Sequence, residues 1–111
     1  MKTVSLVLAA AAALAFSMTA GAAVDADAAN KALKDNGCTK CHSIDKTKKG
    51  PAFKKVAADM KGKADAEAKL TTFLTTGPKV KMDDGTEEEH KAVPMKDPGQ
   101  VKNLVQWILA Q

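Results

Sequence analysis

The chain has 111 residues with a formal net charge of +4, and its basic side chains are all lysines, with no arginine. That length allows one small domain and excludes a multidomain enzyme, and the lack of arginine argues against nucleic-acid recognition. Only one tryptophan and three phenylalanines are present, so the core is modest and a small domain of this kind often needs a disulfide, metal or cofactor for support.

The first predicted element, residues 1–22, has the pattern of a secretory signal peptide. A basic start precedes an almost unbroken apolar run that reaches Phe16, and small residues follow. We expect cleavage after Ala22 or Ala23, which leaves residues 23–111 as the mature domain. An uncleaved anchor is the alternative, but the apolar run is short for a membrane span of about 20 residues. The sequence therefore predicts export to the periplasm, without membrane insertion after signal removal.

Four helices and no convincing strand are predicted in the mature domain. Apolar residues recur at helical spacing in four segments, and glycine or proline punctuates their ends. These segments are approximately 27–36, 51–61, 65–76 and 100–110. Residues 79–99 have no clear period, and a loop of this length is usually functional or disordered. We expect this loop to cover one side of the functional site, with residues 87–91 as a short helical turn.

The segment Cys38–His42, CTKCH, is the attachment signature of a c-type haem. The two thiols add to the porphyrin vinyl groups, and His42 lies where it can ligate the iron. A thioredoxin-like redox pair would need a βαβ context that this chain does not show. A zinc site would need four ligands, and the fourth would be His90, which lies in a charged stretch typical of a solvated surface. We therefore predict Cys38 and Cys41 as the attachment sites of one covalent haem c with its iron.

The sixth position of the iron has several candidate ligands. Met60 lies on an apolar helical stripe, so packing explains it, and nothing in the sequence holds Met82 rigid. Met95 lies between two prolines, which restrict the backbone and suit a side chain that must point at one atom. We predict Met95, with Met82, His90 or an open position as alternatives. Histidine–methionine ligation raises the reduction potential and closes both faces of the iron.

Lysines are concentrated in residues 40–63, where only two acidic residues oppose them. The lysines are Lys40, Lys46, Lys48, Lys49, Lys54, Lys55, Lys61 and Lys63. One interpretation is a basic rim that steers an acidic redox partner, and the other is an ordinary solvated surface. Two haem propionates would reduce the charge of the mature protein to about +1, so both interpretations stay open. We predict redox-protein partners with an acidic docking face, no nucleic-acid partner and a monomer.

Four motifs together resemble small bacterial class I cytochromes c, most of all the short periplasmic monohaem group. They are CTKCH, GPAFKKVAADM, VPM and LVQWIL, in this order along the mature chain. The resemblance implies an all-α fold of four helices with long loops wrapped around one covalent haem, in which the first and last helices cross. It also implies that the Pro51 carbonyl bonds to His42 and that Met95 is the axial methionine.

The chain departs from the resembled family in two places. It lacks the Trp-Gly pair that often precedes the Pro-Met of short relatives, and it carries an acidic stretch at 83–89 instead. Because arginine is absent, lysine side chains or backbone amides must bind the haem propionates.

The predicted function is a soluble periplasmic electron carrier that transfers one electron at a time through its haem. The sequence shows no other catalytic constellation, so we predict that the chain is not an enzyme. One alternative is a haem c subunit of a larger oxidoreductase. Another is a ligand-binding haem with a labile sixth ligand.

Overall fold

The computed structural model describes residues 23–111, so the predicted signal peptide and its cleavage lie outside the described residues. The structure contains four α-helices, a short 3₁₀ turn and a two-stranded sheet. In chain order they are α1 (Ala26–Asp35), the 3₁₀ turn (Cys38–Lys40), α2 (Phe53–Met60), α3 (Ala66–Thr76), β1 (Lys79–Lys81), β2 (Glu87–Glu89) and α4 (Pro98–Leu109). Within this part of the chain no helix is long and apolar enough to cross a membrane.

Both ends of α1 are defined by local interactions that the sequence predicts. The Asp25 carboxylate accepts a hydrogen bond from the Ala28 N–H at 3.0 Å, which satisfies one of the backbone donors left open at a helix start. Gly37, with φ of 65°, follows the last turn in the left-handed conformation. The 3₁₀ turn begins at the next residue, so the attachment motif starts directly where α1 stops.

Helix α4 is the centre of the fold, because it packs against each of the other three helices. Its Leu104 and Val105 side chains are fully buried, and Ala29 of α1 is completely inaccessible beside them. The start of α1 is tied to α4 by two hydrogen bonds between the Asp25 backbone and the Asn103 side chain, at 2.8 and 2.9 Å. The expected packing of the first helix on the last is confirmed.

Two predictions for residues 79–99 are wrong. The sequence predicted no strand there and a short helical turn at 87–91, whereas the structure has two strands. Strands β1 and β2 pair as an antiparallel hairpin in which Lys79 faces Glu89 and Lys81 faces Glu87. Opposite charges across the strands favour this register. Gly85 adopts a φ of 86° in the turn, as an Asp-Gly hairpin turn requires. The charge pattern was interpreted as a solvated loop, whereas residues on either side of the Asp84-Gly85 turn pair as two short strands.

Helix α4 begins two residues earlier than predicted, at Pro98. The Asp97 carboxylate accepts a hydrogen bond from the Gly99 N–H at 2.9 Å, and proline suits the first helical position because it has no N–H to satisfy. The loop between the hairpin and α4 therefore comprises residues 90–97.

Candidate functional site

A cavity of about 700 Å³ lies between the end of α1, the 3₁₀ turn, α2, α3, the hairpin and α4. This volume is within the roughly 300–1,000 Å³ of pockets that hold small molecules and cofactors. Its apolar walls include Leu33, Phe53, Leu70, Leu74, Leu104 and Ile108. All six of these side chains also belong to the buried core around α4. Such a cavity suits a large, flat, apolar group.

The 3₁₀ turn brings the three residues of the attachment motif to one wall of the cavity. The N–H groups of Cys41 and His42 both donate to the Cys38 carbonyl, at 3.2 and 3.0 Å. Both cysteines are free thiols and line the cavity together with His42. Burial raises the pKa of the Cys38 thiol, an effect that the nearby Lys91 partly opposes. The two sulfurs and one imidazole therefore face the same space, as covalent attachment of a porphyrin requires.

The ring of His42 is held in one orientation by its neighbours. Its Nδ1 donates to the Pro51 carbonyl oxygen at 2.7 Å, which leaves Nε2 with the lone pair that a metal needs. The ring stacks on Phe53 with 5.2 Å between ring centres. A Cβ atom at Gly50 would lie only 2.4 Å from Cε1 of His42, so the histidine fits only because residue 50 has no side chain. Sequence reasoning missed Gly50, although its place directly before Pro51 was a usable signal.

We call residues 38–53 the His42 wall. Across the cavity, the His90 wall consists of Phe73, the hairpin residues 79–89 and the segment 90–93. His90, Val80 and Met82 line the cavity from this side. The ring of His90 lies 6.1 Å from the ring of His42, centre to centre. The two histidines of the chain therefore face one cavity from opposite walls.

The environment of His90 differs from the solvated one that its charged sequence neighbours indicated. The residue is partly buried, and the edge of its ring packs on Phe73 with 4.8 Å between centres. Its Nδ1 lies 3.0 Å from the Lys91 carbonyl oxygen. Burial lowers the pKa of the His90 imidazole below its ordinary value, and His42 acts in the same direction. The neutral ring is therefore favoured.

The structure places Met95 differently from the other predicted site residues. Its side chain is 51% exposed, and it is not among the residues that line the cavity, although the nearby Val93 is. Met60 and Met82 do line the cavity. The sequence argument concerned the stiffness of the backbone between two prolines, and stiffness does not specify where a side chain points. Met95 as the axial ligand stays a prediction.

Lysine is the cationic residue at the cavity, as the absence of arginine requires. Four lysine side chains line it: Lys49, Lys69, Lys81 and Lys91. Three acidic residues, Asp59, Glu88 and Glu89, lie among the lining residues as well. These lysines are the cationic side chains that could pair with acidic groups on a bound cofactor.

The residues present fit a covalently bound haem and do not fit the alternative metal site. Among residues 23–111, no group of three or more His, Cys, Asp and Glu side chains is arranged to hold a metal ion, so the zinc interpretation finds no support. The apolar cavity, the two thiols on its wall and the tethered His42 beside Gly50 all match the demands of a porphyrin with an axial imidazole.

Comparison with known proteins agrees with this site. The family model described as cytochrome c matches residues 26–111. Cytochrome c-551 of Pseudomonas aeruginosa is 33% identical over 83 residues, which cover 71% of this chain and 72% of that protein. Cytochrome c-551 of Allochromatium vinosum is 36% identical over 74 residues, covering 67% of this chain and 76% of the other.

Two solved structures have the same fold. The class 1 cytochrome MtoD from Sideroxydans lithotrophicus ES-1 is 55% identical with a TM-score of 0.77, and the match covers 79% of this chain and 97% of that one. Cytochrome c552 of Nitrosomonas europaea is 27% identical with a TM-score of 0.60, over 73% of this chain and 96% of the other. With the motif, the cavity and the helical packing described above, these matches show that the chain belongs to the cytochrome c family, with the class I fold and one covalent haem c with its iron.

Proposed function

We propose that this chain is an exported electron carrier that works in the periplasm and performs no catalysis of its own. The observation that carries the proposal is the joint placement of Cys38, Cys41 and His42 on one wall of an apolar cavity. The relatives that support it are cytochromes c. Residues 1–22 would act as the signal peptide, removed after Ala22 or Ala23.

The residues of the His42 wall hold the cofactor and fix its orientation. The two thiols provide permanent attachment, so the cofactor is not lost between encounters with partners. The Pro51 carbonyl holds the His42 ring with Nε2 toward the cavity. The haem supplies reversible one-electron chemistry when bound.

The apolar walls of the cavity exclude water from the cofactor. Leu33, Leu70, Leu74, Leu104 and Ile108 are among the apolar residues of this lining. Exclusion of water is one way in which a protein tunes a redox potential. Because both thiols of the lining are assigned to covalent attachment, the proposal assigns the chain to electron transfer and not to an enzymatic reaction.

The sixth position of the iron has two protein candidates from different segments. Met95 is the ligand that the sequence predicts, and His90 is the residue that the structure places in the cavity opposite His42. Either one would close the second axial face and leave the porphyrin edge as the route for electrons. The carrier function does not depend on which of them binds.

The docking partners would be redox proteins with acidic surfaces, and the carrier would act as a monomer. All eight lysines between residues 40 and 63 are exposed, and Lys49 also lines the cavity. Lys55 is paired with Asp59 of the same helix, which reduces its contribution to the positive electrostatic potential of this surface. Attraction between opposite surfaces mainly raises the association rate, and it weakens as salt increases.

The test is expression of the full chain in a bacterium that attaches haem c, followed by mass spectrometry of the exported protein. The expected mass is that of residues 23–111 or 24–111 plus one haem, with colour that remains on the polypeptide after acid–acetone extraction. Replacing both cysteines with alanine should abolish the added mass, whereas Ser43→Ala should keep it. Haem that is fully extracted from the wild-type chain would contradict the proposal.

A second measurement separates the carrier from the alternatives. The purified protein should be reduced and reoxidised reversibly by acidic redox proteins, at rates that fall as ionic strength rises. Elution as a single small species is expected of a free carrier. Stable co-purification with a catalytic subunit would instead assign the chain to a larger oxidoreductase, and rapid carbon monoxide binding by the wild type would indicate a ligand-binding haem.

A further inference from the structure

A second, smaller concavity lies at the surface between α2, the start of α3 and the end of α4. Its volume is about 430 Å³. It shares one lining residue, Met60, with the cavity described above. We call it the α2–α4 groove. Besides Met60, its lining includes Lys54, Ala57, Ala58, Lys61, Ala66 and Leu109.

The floor of the α2–α4 groove is apolar. Ala57 and Ala66 are buried, Leu109 is partly buried and Ala58 is exposed. Because an alanine side chain ends at Cβ, the helices that carry these residues leave a space between them. An apolar side chain of another molecule that filled this space would remove apolar surface of both molecules from water, which favours binding in proportion to the area covered.

A lysine lies at each end of the α2–α4 groove. Lys54 is in the first turn of α2, and Lys61 follows its last residue. Both are exposed, and two helical turns separate them by about 10 Å. Among residues 23–111 neither forms an ion pair, whereas Lys55 pairs with Asp59 at 2.7 Å. The two unpaired cations are too far apart to share one carboxylate, so they fit two.

The chemistry of the α2–α4 groove fits an acidic amphipathic helix. Within the described part of the chain no acidic residue lines it. A helix with carboxylates at positions i and i+7 and apolar side chains at i+3 and i+4 would meet a lysine at each end and the apolar floor between them. An anionic bilayer is flat, so it would meet the lysines without filling the space between the helices. A protein segment therefore fits better than a membrane.

We propose that the α2–α4 groove is a docking site for an acidic amphipathic helix of a redox partner. The inference rests on the proposed carrier function, and it narrows the lysine-rich region 40–63 to one surface. Because Met60 lines both the groove and the cavity, a partner seated there contacts a side chain that also forms the cavity wall. The contact is small, so the complex should be short-lived, as electron-transfer encounters are.

The experiment measures binding to the exported, haem-loaded protein by nuclear magnetic resonance. The probe is a synthetic helical peptide with glutamates at positions i and i+7 and leucines at i+3 and i+4. It should shift the amide resonances of residues 54–61 and Leu109 more than those of other residues, and binding should weaken as salt increases. A control peptide with lysines in place of the glutamates should cause no such shifts.

Two double variants separate the groove from general positive charge. Lys54→Gln with Lys61→Gln removes both charges at the groove and should weaken binding of the glutamate peptide by a factor of about 2–30. Lys34→Gln with Lys102→Gln removes the same charge from exposed positions that do not line the groove. This control should leave the affinity nearly unchanged.

Ala58→Gln tests the floor of the groove without a change of charge. Because Ala58 is exposed, the longer side chain occupies the groove without overpacking the core, and glutamine is a good helix former. The variant should bind the glutamate peptide more weakly than the wild type. Ala68→Gln, at an exposed position of α3 outside the groove, should bind it normally. Both variants should keep the absorption spectrum of the wild type.

Three results would overturn the docking site and leave the carrier function standing. One is the absence of shifts, or shifts centred on residues 40–49. Another is an equal loss of affinity in the two double variants, which would indicate a general effect of net charge. The third is binding of anionic lipid vesicles that depends on Lys54 and Lys61, without binding of the peptide. Failure of the wild-type chain to acquire covalent haem would instead contradict the proposed function itself.

Discussion

The His42 wall and the His90 wall face the same cavity but are built in different ways. The His42 wall comes from one continuous segment, in which the 3₁₀ turn, Gly50 and Pro51 set the ring through bonds between residues close in sequence. The His90 wall combines the end of α3, a hairpin and the segment after it. Local motifs therefore determine one side of the site, and contacts between separate elements determine the other.

The largest effect is expected from Leu104→Ala, because Leu104 supports both walls. This side chain is 1% exposed and lines the cavity. Its truncation should lower the free energy of unfolding by about 2–5 kcal/mol, measured by denaturant titration of the holoprotein with circular dichroism. The exposed Lys102→Ala on the same helix should change it by less than about 0.5 kcal/mol. If Leu104→Ala lowers the free energy of unfolding no more than Lys102→Ala does, Leu104 does not support the two walls.

Gly50→Ala should affect only the His42 wall. The added Cβ would overlap the imidazole at 2.4 Å, so the ring must move, at a cost of about 1–3 kcal/mol for overpacking. The expected results are a lower melting temperature and a shifted haem absorption spectrum. Gly62→Ala is the matched control, because its φ of 78° is strained for alanine but nothing lies within 4 Å of the new Cβ. It should lower the melting temperature and leave the spectrum unchanged; a spectral shift in both variants would contradict the steric explanation.

Phe73→Leu should loosen only the His90 wall. Leucine keeps apolar volume but removes the ring edge that contacts His90 at 4.8 Å between centres. Aromatic pairs contribute about 0.5–1.5 kcal/mol beyond their buried area. A double-mutant cycle with His90→Ala, measured by denaturant unfolding, should give a coupling energy in this range. Additive effects within about 0.3 kcal/mol would show that the two rings do not support one another.

The smallest effect concerns pH and the hairpin turn of the His90 wall. Hydrogen bonds from the Thr86 hydroxyl and N–H lower the pKa of Asp84 below 3.8. Because the folded pKa is the lower one, the stabilisation is present above the unfolded pKa and is lost as pH falls through the folded pKa. The Thr86 amide resonance should therefore titrate with a midpoint below 3.8, and Asp84→Asn should abolish that titration. A midpoint at or above the ordinary value would contradict the hydrogen bonds.

The sequence was sufficient for the features that depend on near neighbours. Helical periodicity predicted the four helices, and the spacing of Cys38, Cys41 and His42 predicted the attachment motif. The placement of these three residues on the cavity follows from the 3₁₀ turn. The packing of α1 on α4 came from the family resemblance and from the apolar stripe of the last helix.

The features that the sequence did not reveal depend on pairing across the hairpin and on packing against α3. The glutamates at 87–89 were interpreted as a solvated stretch, because their partners Lys79 and Lys81 lie on another strand. The burial of His90 follows from the same pairing and from its contact with Phe73. The stiffness argument for Met95 concerned only its backbone and contained no information about where its side chain points.

Gly77 is required for two reasons: the backbone conformation at the end of α3 and the close approach of the His90 backbone. Gly77 ends α3 with a φ of 59°, a backbone conformation that residues with a Cβ rarely adopt. Because glycine has no Cβ, the backbone of His90 can also pass close to it. A substitution there would alter a helix terminus and a segment that lines the cavity. A side chain at residue 77 would therefore disturb the end of α3 and the cavity wall together, so its effect on stability and on the site could not be separated.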